Sequence, residues 1–276
     1  MRRSRILDKL SRDEPSWGVG LHFIDPSVWE LASLIGVDGI WLDLEHHGTS
    51  VETATTLMRA ARVGDADIVA RPAKGEFMRM GRLLEMGATG IMYPRCDSPE
   101  EAAEVVRWAK FAPQGSRGFD GGNPDMPYCS GTIEGYIREA NERTFVITQL
   151  ETQKAVDQAE AIAAVEGVQF LMLGPGDFSI LSGFPGQFDN PKIQAAIDAI
   201  ATAARNTGKH WAMPCGSPEL ARQYVAAGCR LAFHSGDIIS VKNALEETRR
   251  AFEKMGFRFP PSRLGKSPFG GQDDDS

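Results

Sequence analysis

The sequence lacks the cysteine spacing of a metal-binding module or a disulfide scaffold. Its four cysteines, Cys96, Cys129, Cys215 and Cys229, include no Cys-x-x-Cys pair and stand beside no paired histidines. That argues against a zinc cluster and predicts reduced thiols in a cytoplasmic protein. It also lacks any apolar run long enough to span a bilayer, so no membrane association is expected. The opening Met-Arg-Arg-Ser-Arg-Ile-Leu-Asp-Lys-Leu is basic, but no apolar stretch follows to make a secretory or twin-arginine signal. A basic excess is missing too: 30 Lys and Arg against 37 Asp and Glu give a net charge of -7. Nucleic acid is therefore not the expected partner, because phosphate binding needs concentrated positive charge. The same balance leaves small acids open as ligands, since one Arg and one metal ion suffice to seat an anion.

What is present is alternation. With 42% hydrophobic and 24% charged residues, 276 residues can bury one large core. Short β-rich apolar runs take turns with longer amphipathic segments, which is the signature of βα units around a parallel sheet. Strands are predicted at Trp17–Phe23, Gly39–Glu45, Asp67–Pro72, Gly90–Arg95, Phe145–Glu151, Phe170–Gly174, His210–Cys215 and Leu231–Ser235. Helices are predicted at Asp25–Leu34, Ser98–Lys110, Gln153–Val165, Pro191–Thr207, Ser217–Ala227 and Gly236–Lys254. Their starts carry capping residues and first-turn prolines, as in Ser98-Pro-Glu-Glu. Gly36, Gly87, Gly167, Gly208 and Gly228 stand where left-handed helix caps belong. Repeated strand–helix–Gly–strand units suit either an open doubly wound sheet or a barrel, and eight units favour a (β/α)8 TIM barrel, an α/β fold, over residues 1–257. The Gly- and Pro-rich stretch Pro113–Gly131 breaks the rhythm and reads as a functional or disordered loop. Residues 258–276, with Pro260, Pro261 and a final Asp-Asp-Asp, read as a flexible C-terminal tail.

Reactive groups of such a barrel stand at the C-terminal ends of its strands. Nearly every ionisable residue of these apolar runs sits at that end. The second run closes Asp43-Leu-Glu45-His46-His47, the third Arg71-Pro72, the fifth Gln149-Leu-Glu151 and the sixth Gly174-Pro-Gly-Asp177. Glu151 and Asp177 come from adjacent strands, and two carboxylates held together would raise each other's pKa unless a cation joined them. Mg²⁺ or Mn²⁺ would resolve the repulsion, with Co²⁺ or Zn²⁺ as further candidates. Taken singly, each carboxylate serves equally well as a helix cap. Gly174 and Gly176 would let backbone N–H groups approach an anion closely. Arg71 needs solvent, an acid or a ligand at its strand end, and its guanidinium suits an enolate oxygen or a salt bridge at the rim. His46 is placed to shuttle a proton, with Asp43, Glu45 or Glu85 as the carboxylate that raises its basicity. His47 reads as a loop residue, His22 and His234 as possible pocket lining, and His210 lies at the wrong barrel end. No base is in evidence to activate Cys215.

At these residues the chain resembles the HpcH/HpaI aldolases, the metal-dependent class II pyruvate aldolases. The stretches that carry the likeness are Leu42-Asp-Leu-Glu-His46, Ala70-Arg-Pro72, Leu83-Leu-Glu-Met-Gly-Ala88, Pro113-Gln-Gly-Ser-Arg-Gly118, Gln149-Leu-Glu151 and Gly174-Pro-Gly-Asp-Phe-Ser179. They fall in order between about Gly18 and Phe252. The resemblance implies a TIM barrel that cleaves 4-hydroxy-2-oxo acids. It implies His46 as the proton-transfer residue, tuned at the position of Glu85 by what is usually an Asp. Arg71 would be the transition-state stabiliser, Glu151 and Asp177 the metal ligands, and Gln149 and Gly176 substrate contacts. It further implies a homo-oligomer, a hexamer built from dimers that exchange C-terminal helices. The loop Gly118–Tyr128 departs from the family pattern, as do His47 and Gly48.

The expected reaction is reversible aldol cleavage to pyruvate and an aldehyde, through a pyruvate enolate. No lysine ends a strand, so a Schiff base is not expected. Oxaloacetate decarboxylation or cleavage of a malyl-CoA-type thioester would use the same enolate. A non-catalytic metabolite-binding barrel is the reading from a different class.

Overall fold

The computed structural model describes residues 3–264. After a short helix α1 (Arg5–Leu10), eight strands alternate with helices. The order runs β1 (Ser16–Leu21), α2 (Pro26–Ile35), β2 (Gly39–Asp43), α3 (Val51–Ala61), β3 (Asp67–Arg71), α4 (Phe77–Met86), β4 (Gly90–Tyr93) and α5 (Pro99–Ala109). The second half contains α6 (Ile133–Arg143), β5 (Phe145–Leu150), α7 (Gln153–Asp157), α8 (Ala159–Ala163), β6 (Phe170–Leu173), α9 (Pro175–Leu181) and α10 (Pro191–Thr207). It ends with β7 (His210–Cys215), α11 (Pro218–Ala226), β8 (Leu231–Gly236) and α12 (Asp237–Lys254). Each strand pairs in parallel with the next, and β8 closes on β1, giving the predicted (β/α)8 barrel.

Local sequence sets the helix ends. Ser98 accepts a hydrogen bond from the Glu101 N–H with Pro99 in the first turn, and Ser217 and Pro218 repeat the arrangement at α11. All five glycines expected at helix ends adopt positive φ. The predicted helix 153–165 divides at Gln158 into α7 and α8.

Two apolar layers hold the barrel. The larger lies between strands and helices, from Leu42, Ile68 and Ile91 to Leu57, Leu83 and Ile197. The smaller fills the barrel itself with Val69, Met92, Phe145, Ile147, Phe170, Met172 and Phe233. Gly90 makes room for Phe145, whose ring lies 2.4 Å from where a Cβ would stand. Helix α1, absent from the sequence expectation, stoppers the N-terminal end of the barrel. Ile6 is fully buried, and its N–H and the Ser4 hydroxyl both donate to Asp67 at 2.7 Å. With α1 at that end, the opposite face, where the strands finish, is the one on which a barrel of this kind builds its site.

The loop 113–131 is ordered by its own small core. Phe111, Met126, Tyr136 and Ala140 pack together, and the Arg117 guanidinium lies 4.6 Å from the Phe111 ring centroid. The expected tail beyond Phe257 begins against α12, where the Pro260 carbonyl accepts from Arg249 at 2.8 Å. Its residues 265–276 lie outside the described residues. No helix among the described residues is long and apolar enough to cross a membrane.

Candidate active site

Strands β2 and β3 deliver the centre of the site. Their register sets Asp43 beside Arg71, and the side chains form a forked ion pair. Arg71 Nε donates to Asp43 Oδ1 at 2.9 Å, and Nη2 donates to Oδ2 at 2.7 Å. Both groups are buried, so each satisfies a charge that would be costly alone. Burial works to raise the Asp43 carboxyl, but the hydrogen bonds and charge of Arg71 reverse that and hold it below the usual range. The remaining face of Arg71 is directed. Nη1 donates to Gln149 Oε1 at 3.3 Å and lies 3.4 Å from Glu45 Oε2, while the guanidinium stacks 4.7 Å from the Trp41 ring centroid.

Glu151, just past β5, is almost fully buried. Its carboxyl is pushed up to about 7, first by burial and then by the charge of Asp177, against the pull of Arg71. The charge of Asp177, in the first turn of α9 beyond β6, therefore bears on Glu151 beyond β5. Such a pair calls for a divalent cation, and a proton is its substitute without one. Glu151 Oε2 accepts from the Arg95 N–H at 3.1 Å. Arg95 holds φ at 47°, a strained left-handed value for a residue with a side chain. Its guanidinium returns to Glu45 at 2.9 Å. The sequence singled Arg95 out only as a strand end; a Pro-Arg pair after β4 was its one signal.

Gly174 takes a different part from the one expected. Its N–H is already bonded to the Leu150 carbonyl at 3.2 Å, so it is not offered to an anion. Its use is steric: a Cβ there would meet Glu151 Oε1 at 2.3 Å. Gly176 does leave open space in the first turn of α9.

The histidines divide differently from the sequence reading. The His46 ring is 57% exposed, and its Nε2 lies 3.6 Å from Glu45 Oε2. Of the three carboxylates offered as its partner, Glu45 is therefore the one beside it. Asp43 reaches His46 only through the backbone N–H, at 3.5 Å, because Arg71 takes its carboxylate. Glu85 is removed from the chain's own site. It occupies the last turn of α4, which ends just before β4 begins and so lies at the opposite end of the barrel. Its carboxyl is raised by burial and by Asp120 and Asp125, with Arg117 opposing. His47 is no mere loop residue: its Nε2 lies 3.7 Å from Asp43 Oδ2, and its ring centroid is 4.6 Å from that of His22.

Two further groups bear on the chemistry. Lys74, three residues beyond β3, is the lysine nearest that strand's end, and it is ion-paired with Asp97 at 2.9 Å and Glu101 at 3.2 Å. Burial alone would lower its pKa, but those carboxylates raise it, which suppresses a nucleophilic amine. Cys215 is buried and its thiol is pushed up to about 12 by that burial, leaving it inert.

A closed parallel barrel with its acidic, guanidinium and imidazole groups gathered at the strand ends defines a barrel enzyme. Comparison with known proteins makes the class specific. The HpcH/HpaI aldolase/citrate lyase family profile matches residues 21–240, and the chain belongs to that family of carbon–carbon lyases. A hydroxypyruvate/pyruvate aldolase of Delftia acidovorans is 32% identical, covering 85% of this chain and 87% of its own. A 2-dehydro-3,6-dideoxy-6-sulfogluconate aldolase of Pseudomonas putida is 31% identical, covering 86% and 92%. The crystal structure of an HpcH/HpaI aldolase from Desulfitobacterium hafniense superposes with a TM-score of 0.85 at 26% identity, covering 90% of this chain and 96% of that one.

Proposed function

We propose that this chain catalyses metal-dependent reversible aldol cleavage of a 4-hydroxy-2-oxo acid to pyruvate and an aldehyde. Glu151 and Asp177 hold the cation, Mg²⁺ or Mn²⁺ ahead of Co²⁺ or Zn²⁺. The observation that carries this reading is the almost fully buried Glu151 carboxyl just past β5, pushed up to about 7 by that burial and then by the charge of Asp177. No group of three or more His, Cys, Asp or Glu side chains gathers as a metal set among the described residues. Two protein carboxylates leave the remaining positions to water and to a chelating oxo acid, which is the donor set a hard cation accepts. When bound, the cation supplies Lewis-acid polarisation of the keto group.

The chain's own residues do the rest. Gln149 and the open turn at Gly176 seat the substrate's carboxylate end. Arg71, fixed by Asp43, presents Nη1 to the oxygen on which enolate charge develops. His46, beside Glu45, takes the proton from the C4 hydroxyl as the C3–C4 bond breaks, and the enolate is then protonated to pyruvate. We further propose a cytoplasmic homo-oligomer. Helix α12 buries only Asp237 within the chain while Val241, Leu245 and Phe252 lie exposed, a face suited to a second copy. The deciding test is pyruvate plus a panel of aldehydes with added Mg²⁺ or Mn²⁺, run on wild type and Glu151→Ala. Equal product from both proteins rejects the site.

A further inference from the structure

Two imidazoles at the barrel mouth have no part in the scheme above. His22 follows β1, and Asp237 Oδ1, at the start of α12, lies 3.1 Å from its Nδ1. The same carboxylate accepts the backbone N–H groups of His22 and Phe23 at 2.8 and 2.6 Å. Burial works to raise the Asp237 carboxyl, but these donors hold it below the usual range, so it is an acceptor only. An ionised Asp237 takes its ring hydrogen bond from Nδ1–H, so in the neutral ring Nε2 of His22 is the acceptor, and it has no hydrogen bond among the described residues. His47 packs edge-on against this ring, at 66° between planes, with its Nε2 toward Asp43. Both side chains are about one-third exposed, His22 at 34% and His47 at 36%, so both are reachable from solvent. Asp43 also binds Arg71, so the imidazole pair adjoins the guanidinium that faces the oxo acid.

The surrounding charge selects the ligand. Asp43, Glu45, Glu151, Asp177 and Asp237 are five carboxylates against the guanidiniums of Arg71 and Arg95, and both guanidiniums are already matched, by Asp43 and Glu45. A divalent cation would be spent on the oxo acid. Among these described residues no unmatched positive charge is left for a second anionic group, and an imidazole acceptor nitrogen repels one. A hydroxyl is the group that donates to such a nitrogen and tolerates the remaining field.

We propose that His22 and His47 form the subsite for the aldehyde half of the substrate, and that they select a neutral aldehyde carrying a hydroxyl group over unsubstituted and carboxylated ones. Asp237 is the positioning residue that fixes the His22 ring. The inference rests on the aldolase reading, and the two fail separately. Exchange of the pyruvate methyl hydrogens for deuterium by the Mg²⁺-loaded wild type tests the reading alone. The subsite is tested by kcat/KM for glycolaldehyde and for propionaldehyde, near-isosteric acceptors that differ by hydroxyl for methyl, each with pyruvate. Wild type should favour glycolaldehyde by about tenfold or more. His22→Leu and His47→Leu, made separately, should each reduce that ratio severalfold through KM for glycolaldehyde, and His22→Gln, which keeps an acceptor, should restore part of it. Exchange without any hydroxyl preference, or an unchanged ratio in both leucine variants, overturns the subsite and leaves the aldolase reading intact. Should the leucine variants not fold, wild type decides: preference for succinic semialdehyde over glycolaldehyde overturns the proposal, and the reverse supports it.

Discussion

Asp43 and Arg71 meet as a two-pronged pair, 2.9 and 2.7 Å, at the ends of neighbouring strands. The pairing leaves one edge of the guanidinium, Nη1, aimed toward Gln149. Planarity makes this possible: one end of the fork is held while the other works. Lysine offers one charge and no fork. Arg71→Lys should therefore fold while kcat for aldol cleavage falls by about a hundredfold or more, with a smaller change in KM for the oxo acid. Steady-state kinetics beside a thermal melt check this. A variant with near-normal kcat would show that Arg71 is a rim salt bridge.

Glu151 predicts a pH dependence of definite sign. Its carboxyl titrates at about 7 in the folded, cation-free chain against 4.5 as the ordinary value. Between those values the folded state holds a proton that the unfolded chain has lost. Raising pH across that window therefore lowers cation-free stability. A bound cation must displace the same proton, so affinity should fall by up to about tenfold for each pH unit below 7. Mn²⁺ titrations from pH 5.5 to 8 read this directly. A flat profile would place the cation elsewhere.

The barrel was legible because its signals are local and repeated. Apolar runs, capping serines, first-turn prolines and five helix-ending glycines recur in phase, and they become β1–β8 and their helices. The proposal that Glu151 and Asp177 act together also began in the sequence, since one directly follows β5 and the other lies in the first turn of the helix after the neighbouring β6. Helix α1 was not, because its anchor is Asp67, more than 60 residues away. The roles of the histidines also depended on distance in sequence. His22 is held by Asp237, 215 positions on, and no motif joins them. Glu85 presents the opposite case. A local motif singled it out, while the direction of α4 carries it to the far end of the barrel.

The loop 113–131 yields a prediction of stability. Arg117 is buried with Asp125, whose Oδ2 lies 3.5 Å from the guanidinium and accepts the Tyr136 hydroxyl at 2.7 Å. Removing the carboxylate would strand a buried cation. Asp125→Ala should therefore cost about 3–5 kcal/mol. Tyr136→Phe, which keeps the ion pair, should cost about 1–2 kcal/mol. Urea unfolding of both variants tests the order, and an Asp125→Ala loss no larger than that of Tyr136→Phe contradicts it.

His46 supports the sharpest separation of roles. Aldol cleavage requires a base at the C4 hydroxyl, whereas decarboxylation of oxaloacetate reaches the same enolate by losing carbon dioxide and has no hydroxyl proton to remove. His46→Asn keeps a polar side chain beside Glu45 but cannot accept that proton. Aldol cleavage should fall by about 10²–10⁴-fold. Any oxaloacetate decarboxylation by the wild type should fall far less, because Arg71 and the Glu151–Asp177 pair are untouched. Should both reactions fall together, His46 would be acting on the enolate and not on the hydroxyl. Should neither fall, the base would be another imidazole, and His47, 3.7 Å from Asp43, is the next to substitute.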